Sequence, residues 1–148
     1  MIWTTLFNVL NMAALVAWAA LILLPRWPAL LSALLYLGVG GLCLLYACGL
    51  IAVLTGVIPA GEGGADFTTI VGVRSIFASN AGVVIGWAHY LAFDLFVGIW
   101  IARDADAKSI SRFIQAPILA VTFLAGPLGL IVWLIVREPA ARRSGRWR

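Results

Sequence analysis

Residues 28–59 contain no charged side chain, and neither do residues 1–25. Uninterrupted apolar runs of that length leave few folding choices. In water they would have to be hidden by polar surface, and this chain has too little of it. It is 64% hydrophobic and 11% charged, where soluble domains are roughly 45–50% and about 25%. Apolar stretches of about 18 residues or more read as transmembrane helices. Four fit, at about residues 3–24, 29–58, 81–102 and 115–136, followed by a basic tail at 137–148. The runs are continuous rather than alternating, which excludes a closed barrel, the other architecture that lipid admits. The expected fold is an all-α membrane protein, one integral helical domain over residues 1–148. It has four transmembrane helices plus a short interfacial or re-entrant helix before the third span.

The first span lacks a basic leader and is too long for a signal peptide, so it is expected to stay in the membrane. No Arg- and Ser-rich transit segment precedes it, and a bacterial inner membrane is the simplest address. The net charge of +4 is no nucleic-acid signal, because five of the ten basic residues lie in the tail, suited to anionic lipid. Counted by side, the tail and Arg74 carry six Lys and Arg against four for Arg26, Arg103, Lys108 and Arg112. The positive-inside rule then places both termini in the cytoplasm. Cys43 and Cys48 are five apart on one helix, about 140° around it, so no disulfide joins them and buried thiols are expected.

Loops are marked by Pro25 and Pro28 and by PAGEGG at 59–64. The thirty-residue second run must tilt, kink near the glycines at 38–41, or protrude. The short segment DFTTIVGVRSIF, with Asp66 as a candidate cap, sets Arg74 within an apolar stripe. That arginine either snorkels to phosphate or meets an acid inside the bundle. GPLG at 126–129 interrupts the fourth run, where Pro127 is expected to kink the helix by clashing with the Phe123 carbonyl. In the first run Asn11 is placed either to bond another helix or to touch a substrate.

The third run holds the only histidine, His89, and Asp94 in GWAHYLAFDLFVGIW. Helical spacing separates two stripes. Gly82, Gly86, Tyr90, Asp94 and Gly98 recur every fourth residue and invite close approach by another helix. His89, Phe93, Phe96 and Trp100 form a second, aromatic stripe. An ionised aspartate at mid-span costs about 2.5–3.5 kcal/mol on insertion scales, so a neutral acid is expected there. Such a group donates a proton, and a neutral imidazole can accept one. The plainer alternative is that both only bond partners across helices. One histidine and two separated cysteines make no metal site of the zinc or iron–sulfur kind, and no phosphate loop is present.

GWAHYLAFDLFVGIWIARDA (86–105), GPLGL (126–130), GVRSIF (72–77) and LPRWP (24–28) together resemble the abscisic-acid-deficient-4-like membrane proteins. The resemblance covers most of the chain after the first span. It implies carotenoid chemistry, since plant members are associated with forming neoxanthin from violaxanthin. That reaction is redox-neutral: an epoxide opens to an allene and an alcohol, with one proton delivered to oxygen and one lost from a polyene carbon. No cofactor is required. Carried onto this sequence, Asp94 or His89 is the acid and the other the base, with Tyr90 beside Asp94. Phe93, Phe96, Trp87 and Trp100 line the polyene, and Asn11, Arg74 and Pro127 complete the substrate contacts. The absence of a plastid transit segment departs from the plant pattern.

The leading expectation is therefore an isomerase-type membrane enzyme acting on a carotenoid or other isoprenoid lipid. A non-catalytic pigment-binding or scaffold subunit is the alternative. A small proton-coupled transporter, built as a homo-oligomer, is the third and needs water to reach Asp94.

Overall fold

The computed structural model describes residues 1–59 and 66–144, and every regular element among them is helical. Most of the 59–64 loop, and the tail residues Arg146 and Arg148, lie outside the described residues. Helix α1 is Ile2–Leu23, α2 is Pro28–Ala33, α3 is Gly40–Leu54, α4 is Ile70–Ile76, α5 is Asn80–Ala107, α6 is Arg112–Leu124 and α7 is Gly126–Ser144. A π-helical segment, Leu34–Val39, joins α2 to α3 without a break. Pro28–Leu54 is therefore one 27-residue rod. Where a kink near the glycines at 38–41 is one expected outcome, the rod instead carries this π segment just before and into them. Gly56, at φ +75°, ends the rod in the left-handed region that glycine enters freely.

Among the described residues three helices are long and apolar enough to cross a membrane: α1, Pro28–Leu54 and α5. α5 is the hub. Its apolar window is 56% buried, against 22% for α1 and 11% for Pro28–Leu54, so the other spans lean on it and face outward. Trp18 of α1, Leu95 and Ile101 of α5, Leu119 of α6 and Trp133 of α7 are all sealed in the core. The glycine stripe on α5 does receive close neighbours, but from several elements rather than one helix. Gly86 meets Phe77, Gly98 meets the Trp18 ring, and Asp94 meets Gly126.

The fourth apolar run does not cross. α6 stops at Leu124, and Ala125 turns the chain with φ −156° and ψ 86°. Amides of Leu128 and Gly129 then donate to the Ala125 carbonyl, opening α7. Pro127 thus sits in the first turn of a new helix, where its missing N–H costs nothing, rather than kinking an old one. Gly129 lies so close to the Thr122 backbone that a Cβ there would collide with it. α7 consequently runs back beside α6, and its Trp133 and Arg137 reach Asp104 near the end of α5. Gln115, at the start of α6, bonds Asp106 at the same end. α6 and α7 form a re-entrant hairpin. Its tip lies about ten residues of α5, or ~15 Å, from that end, roughly half the hydrocarbon thickness.

This corrects the expected four spans to three plus a hairpin. It also puts the start of α1 and the end of α7 at opposite ends of α5. The start of α1 lies beside the start of α5, where Trp3, Thr4 and Phe7 share a hollow with Asn80, Val83 and Val84. The end of α7 lies beside the end of α5. Two further expectations change. Cys43 and Cys48 are unpaired, as expected, but exposed rather than buried, because α3 turns little of its surface inward. Arg74 is exposed on α4, so it brings no charge into the bundle.

Candidate functional site

α4 is a short surface helix ahead of α5. Thr69 caps it by accepting from the Gly72 amide. Asp66 supports the cap, accepting from the Thr68 amide at 2.8 Å and from the hydroxyls of Thr68 and Thr69 at 2.7 and 2.8 Å. Those bonds, the Thr68 hydroxyl first, hold the Asp66 carboxyl below the usual carboxylate range. Arg74 lines an open hollow with Phe67, Thr69 and Val73, away from both groups described next.

The candidate residues of α5 divide into an inner polar chain and an outer aromatic face. In the inner chain, the Asn11 amide donates to the Phe7 carbonyl at 2.9 Å, and the Trp87 indole N–H donates to Asn11 Oδ1 at 2.9 Å. Trp87 stacks on Tyr90 with ring centres 5.0 Å apart and planes 14° from parallel. The Tyr90 hydroxyl donates to the Leu124 carbonyl at 3.1 Å, satisfying an acceptor left free by the end of α6. Asp94 is 7% exposed and abuts Gly126, the first residue of α7. A carboxyl is favoured at that end of a helix. Its Oδ2 is buried without a hydrogen-bond partner among the described residues. Asn11, Trp87 and Tyr90 thus form a chain that reaches the hairpin tip through Tyr90, and Asp94 meets the tip at Gly126. Pro127 is at the tip too, but on its exposed side.

The outer face holds His89. Its ring lies 4.6 Å from Phe93 and 5.0 Å from Tyr46 of α3. His89, Phe93 and Phe96 are exposed and Trp100 is half-buried. At the His89 end is a small apolar hollow of about 150 Å³, lined by Tyr46, Phe67, Phe77, Ile85, Gly86 and His89 among others. At the other end Phe96, Trp100, Leu35, Arg103 and Asp104 line a hollow of about 320 Å³. Five residues separate His89 from Asp94, about 140° around the helix. His89 and Asp94 thus belong to different surroundings, and Trp87 lies with Asn11 and Tyr90 rather than with the aromatic face.

Two clusters went unforeseen. Arg26, between α1 and α2, bonds the Asp106 carboxylate at 3.0 and 3.1 Å, the Ala102 carbonyl at 3.3 Å and the Gln115 side-chain oxygen. Burial pushes its guanidinium below its ordinary value, and the bond to Asp106 acts against that. Asp104 receives Arg137 and Lys108 together, at 2.6 and 2.7 Å. These acids sit at the α5 terminus, where a sequence reading takes charges to be solvated. Tyr46 was missed as well, because only the packing of α3 on α5 brings it to His89. Among the described residues no group of His, Cys, Asp and Glu could hold a metal ion.

Three spanning helices and a half-crossing hairpin, closed around a buried carboxyl, define a polytopic helical membrane protein with a re-entrant segment. Residues 5–133 match the ABA DEFICIENT 4-like family, and the chain belongs to that family. The match includes α5, the hairpin tip and the aromatic face. No curated protein and no solved structure matches the chain. Family and composition together mark a membrane protein related to carotenoids or isoprenoids.

Proposed function

We propose that the protein holds a carotenoid or other long isoprenoid along the outer face of α5 and acts on it as a cofactor-independent isomerase. The observation that carries this reading is the run His89, Phe93, Phe96, Trp100, open to the lipid side, with a hollow at each end. From Gly82 to Ala107 that path follows ~38 Å of helix, comparable to a bilayer's hydrocarbon core of about 30 Å. A flat apolar chain gains area burial and ring contact there. A redox-neutral isomerisation moves one proton off carbon and one onto oxygen, so it needs a proton carrier and no electron acceptor. On this face His89 is the side chain that can both accept and donate a proton. Asp94 and Tyr90 hold the hairpin tip from the other side of the helix. A joint acid–base pair of His89 and Asp94 on one substrate is not what their separate surroundings support.

The test is expression in a carotenoid-producing bacterium, with chromatography of cell pigments and of whatever co-purifies. A changed pigment profile that reverts with His89→Ala supports the isomerase. Unchanged pigments with no bound polyene overturn the carotenoid reading. A pigment that co-purifies chemically unaltered supports the second reading, a pigment-binding scaffold, which the sealed position of Asp94 favours. That same burial, with Asp94 lining none of these hollows, counts against a proton-coupled transporter.

The hairpin also changes the proposed orientation. Arg26, Arg103, Lys108, Arg112, Arg137, Arg142 and Arg143 all belong to the α7 end of the bundle, and Arg74 to the other. The positive-inside rule then places that end in the cytoplasm and the start of α1 outside, in a bacterial inner membrane.

A further inference from the structure

We infer that the cleft between α2 and α5 at the basic end of the bundle is a binding site for one anionic phospholipid of the surrounding leaflet. The cleft holds about 270 Å³ and is lined by Arg26, Pro28, Leu31, Ser32, Leu35, Ile99 and Arg103. Its origin is local. Pro28 starts α2 directly after the loop, and the π segment that follows turns Leu34 and Val39 into the core while α2 itself buries no residue. The rod therefore closes on α5 only from Leu34 onward and leaves a gap above it.

The rim and walls of this gap have different chemistry. Leu31, Leu35 and Ile99 form an apolar wall that continues toward mid-membrane. Arg103 stands on the rim, exposed, and makes no ion pair or hydrogen bond with a described residue. Arg26 is neutralised by Asp106, so Arg103 supplies the uncompensated charge. Ser32 is exposed toward the same rim. Thr5, Thr55 and Thr122 return their hydroxyls to the carbonyl four residues earlier, whereas Ser32 makes no such bond to a described residue. A free guanidinium and a free hydroxyl over an apolar wall suit a phosphate head with its acyl chain, because a guanidinium fork matches phosphate oxygens. A soluble phosphate would leave the Leu31, Leu35 and Ile99 wall unused. Leu35, Ile99 and Arg103 also line the hollow at the Trp100 end of the aromatic face, so the two sites adjoin, and lipid binding is read on pigment-free protein to keep them distinct.

The experiment is native mass spectrometry of the full-length, delipidated protein titrated with phosphatidylglycerol or phosphatidylcholine, and separately with inorganic phosphate. The expected result is one tightly held phosphatidylglycerol, favoured over phosphatidylcholine, with affinity about tenfold lower in Arg103→Gln and largely restored in Arg103→Lys. Ser32→Ala gives a smaller loss. Matched melting curves show whether Arg103→Gln remains folded, and Arg103→Lys carries the test if it does not. Three outcomes overturn the proposal. One is equal retention by the wild type and Arg103→Gln. Another is an equal loss in the Arg142→Gln/Arg143→Gln double variant, which would mean diffuse attraction to the surface. The last is displacement of the lipid by millimolar phosphate, which would assign the cleft to the free anion.

Discussion

Arg137 grips both oxygens of Asp104, its Nε at 2.6 Å from one and its Nη2 at 3.0 Å from the other, joining residues 33 positions apart. The Trp133 indole donates to the same carboxylate at 3.2 Å, and Arg137 also lies over the Trp100 ring. Lys108 completes the group from one turn along α5. This cluster brings α7 back to the side from which α6 entered. Both side chains of the pair are about nine-tenths buried, and Lys108 still faces Asp104 when Arg137 is removed. Arg137→Met is expected to destabilise the protein by about 1.5–3 kcal/mol, the worth of hydrogen bonds to a charged group, and Arg137→Met/Lys108→Met by clearly more, because the buried carboxylate is then uncompensated. Thermal unfolding in detergent measures both, and an unchanged melting temperature in Arg137→Met would remove the pair's role in closing the hairpin.

Orientation follows from the hairpin and is tested by cysteine labelling in a Cys43→Ala/Cys48→Ala background. Ile2→Cys is expected to react with an impermeant maleimide from outside intact cells. Ser109→Cys, exposed between α5 and α6, and Arg143→Cys should react only after permeabilisation. A reversed pattern sinks the orientation, and Ser109→Cys and Arg143→Cys reporting opposite sides sinks the hairpin itself.

At the hairpin tip the first residue of α7 must be small. A Cβ at position 126 would strike the Asp94 carboxyl. Gly126→Ala is expected to cost about 1–3 kcal/mol, the usual penalty for overpacking. Asp94→Asn keeps the shape and should be tolerated far better. Melting temperatures of the two variants check this, and equal tolerance would mean the tip is not closed around Asp94.

Separate surroundings for His89 and Asp94 imply separate phenotypes. His89→Ala is expected to abolish any change in cellular pigments while leaving the melting temperature within a few degrees, since the ring is exposed. Tyr90→Phe should leave pigments intact and lower stability by about 1 kcal/mol, the worth of one hydrogen bond to Leu124. Pigment chromatography beside thermal melts distinguishes them. Identical effects on both measurements would restore a single joint site.

The Asp66 cap gives a pH dependence. Its carboxyl is held below the ordinary range in the folded state, so the stabilisation is present above an unfolded value of about 3.9 and fades as pH falls below it. Cleavage near α4 by an acid-active protease should therefore increase below about pH 4. Asp66→Asn should show the increased cleavage already at higher pH. A cleavage rate in Asp66→Asn equal to wild type would mean that the carboxylate does not hold the cap.

Hydropathy alone determined the solvent, the helical class and three of the spans, because a long uncharged run has only one stable state in lipid. Helical spacing within 86–100 also separated the Tyr90–Asp94 side of α5 from the His89 side, since 3.6 residues per turn is a property of the backbone. The last apolar run was not decided in that way. A stretch of some twenty apolar residues broken by GPLG is long enough to cross and broken enough to fold back, and hydropathy counts residues without giving direction. Contacts between distant residues settled it: Arg137 and Trp133 on Asp104, Gln115 and Arg26 on Asp106, and Gly129 against Thr122. The inward turn of Trp87 to Asn11 and the approach of Tyr46 to His89 likewise depend on which helices pack together. A single helix's periodicity carries no record of that choice.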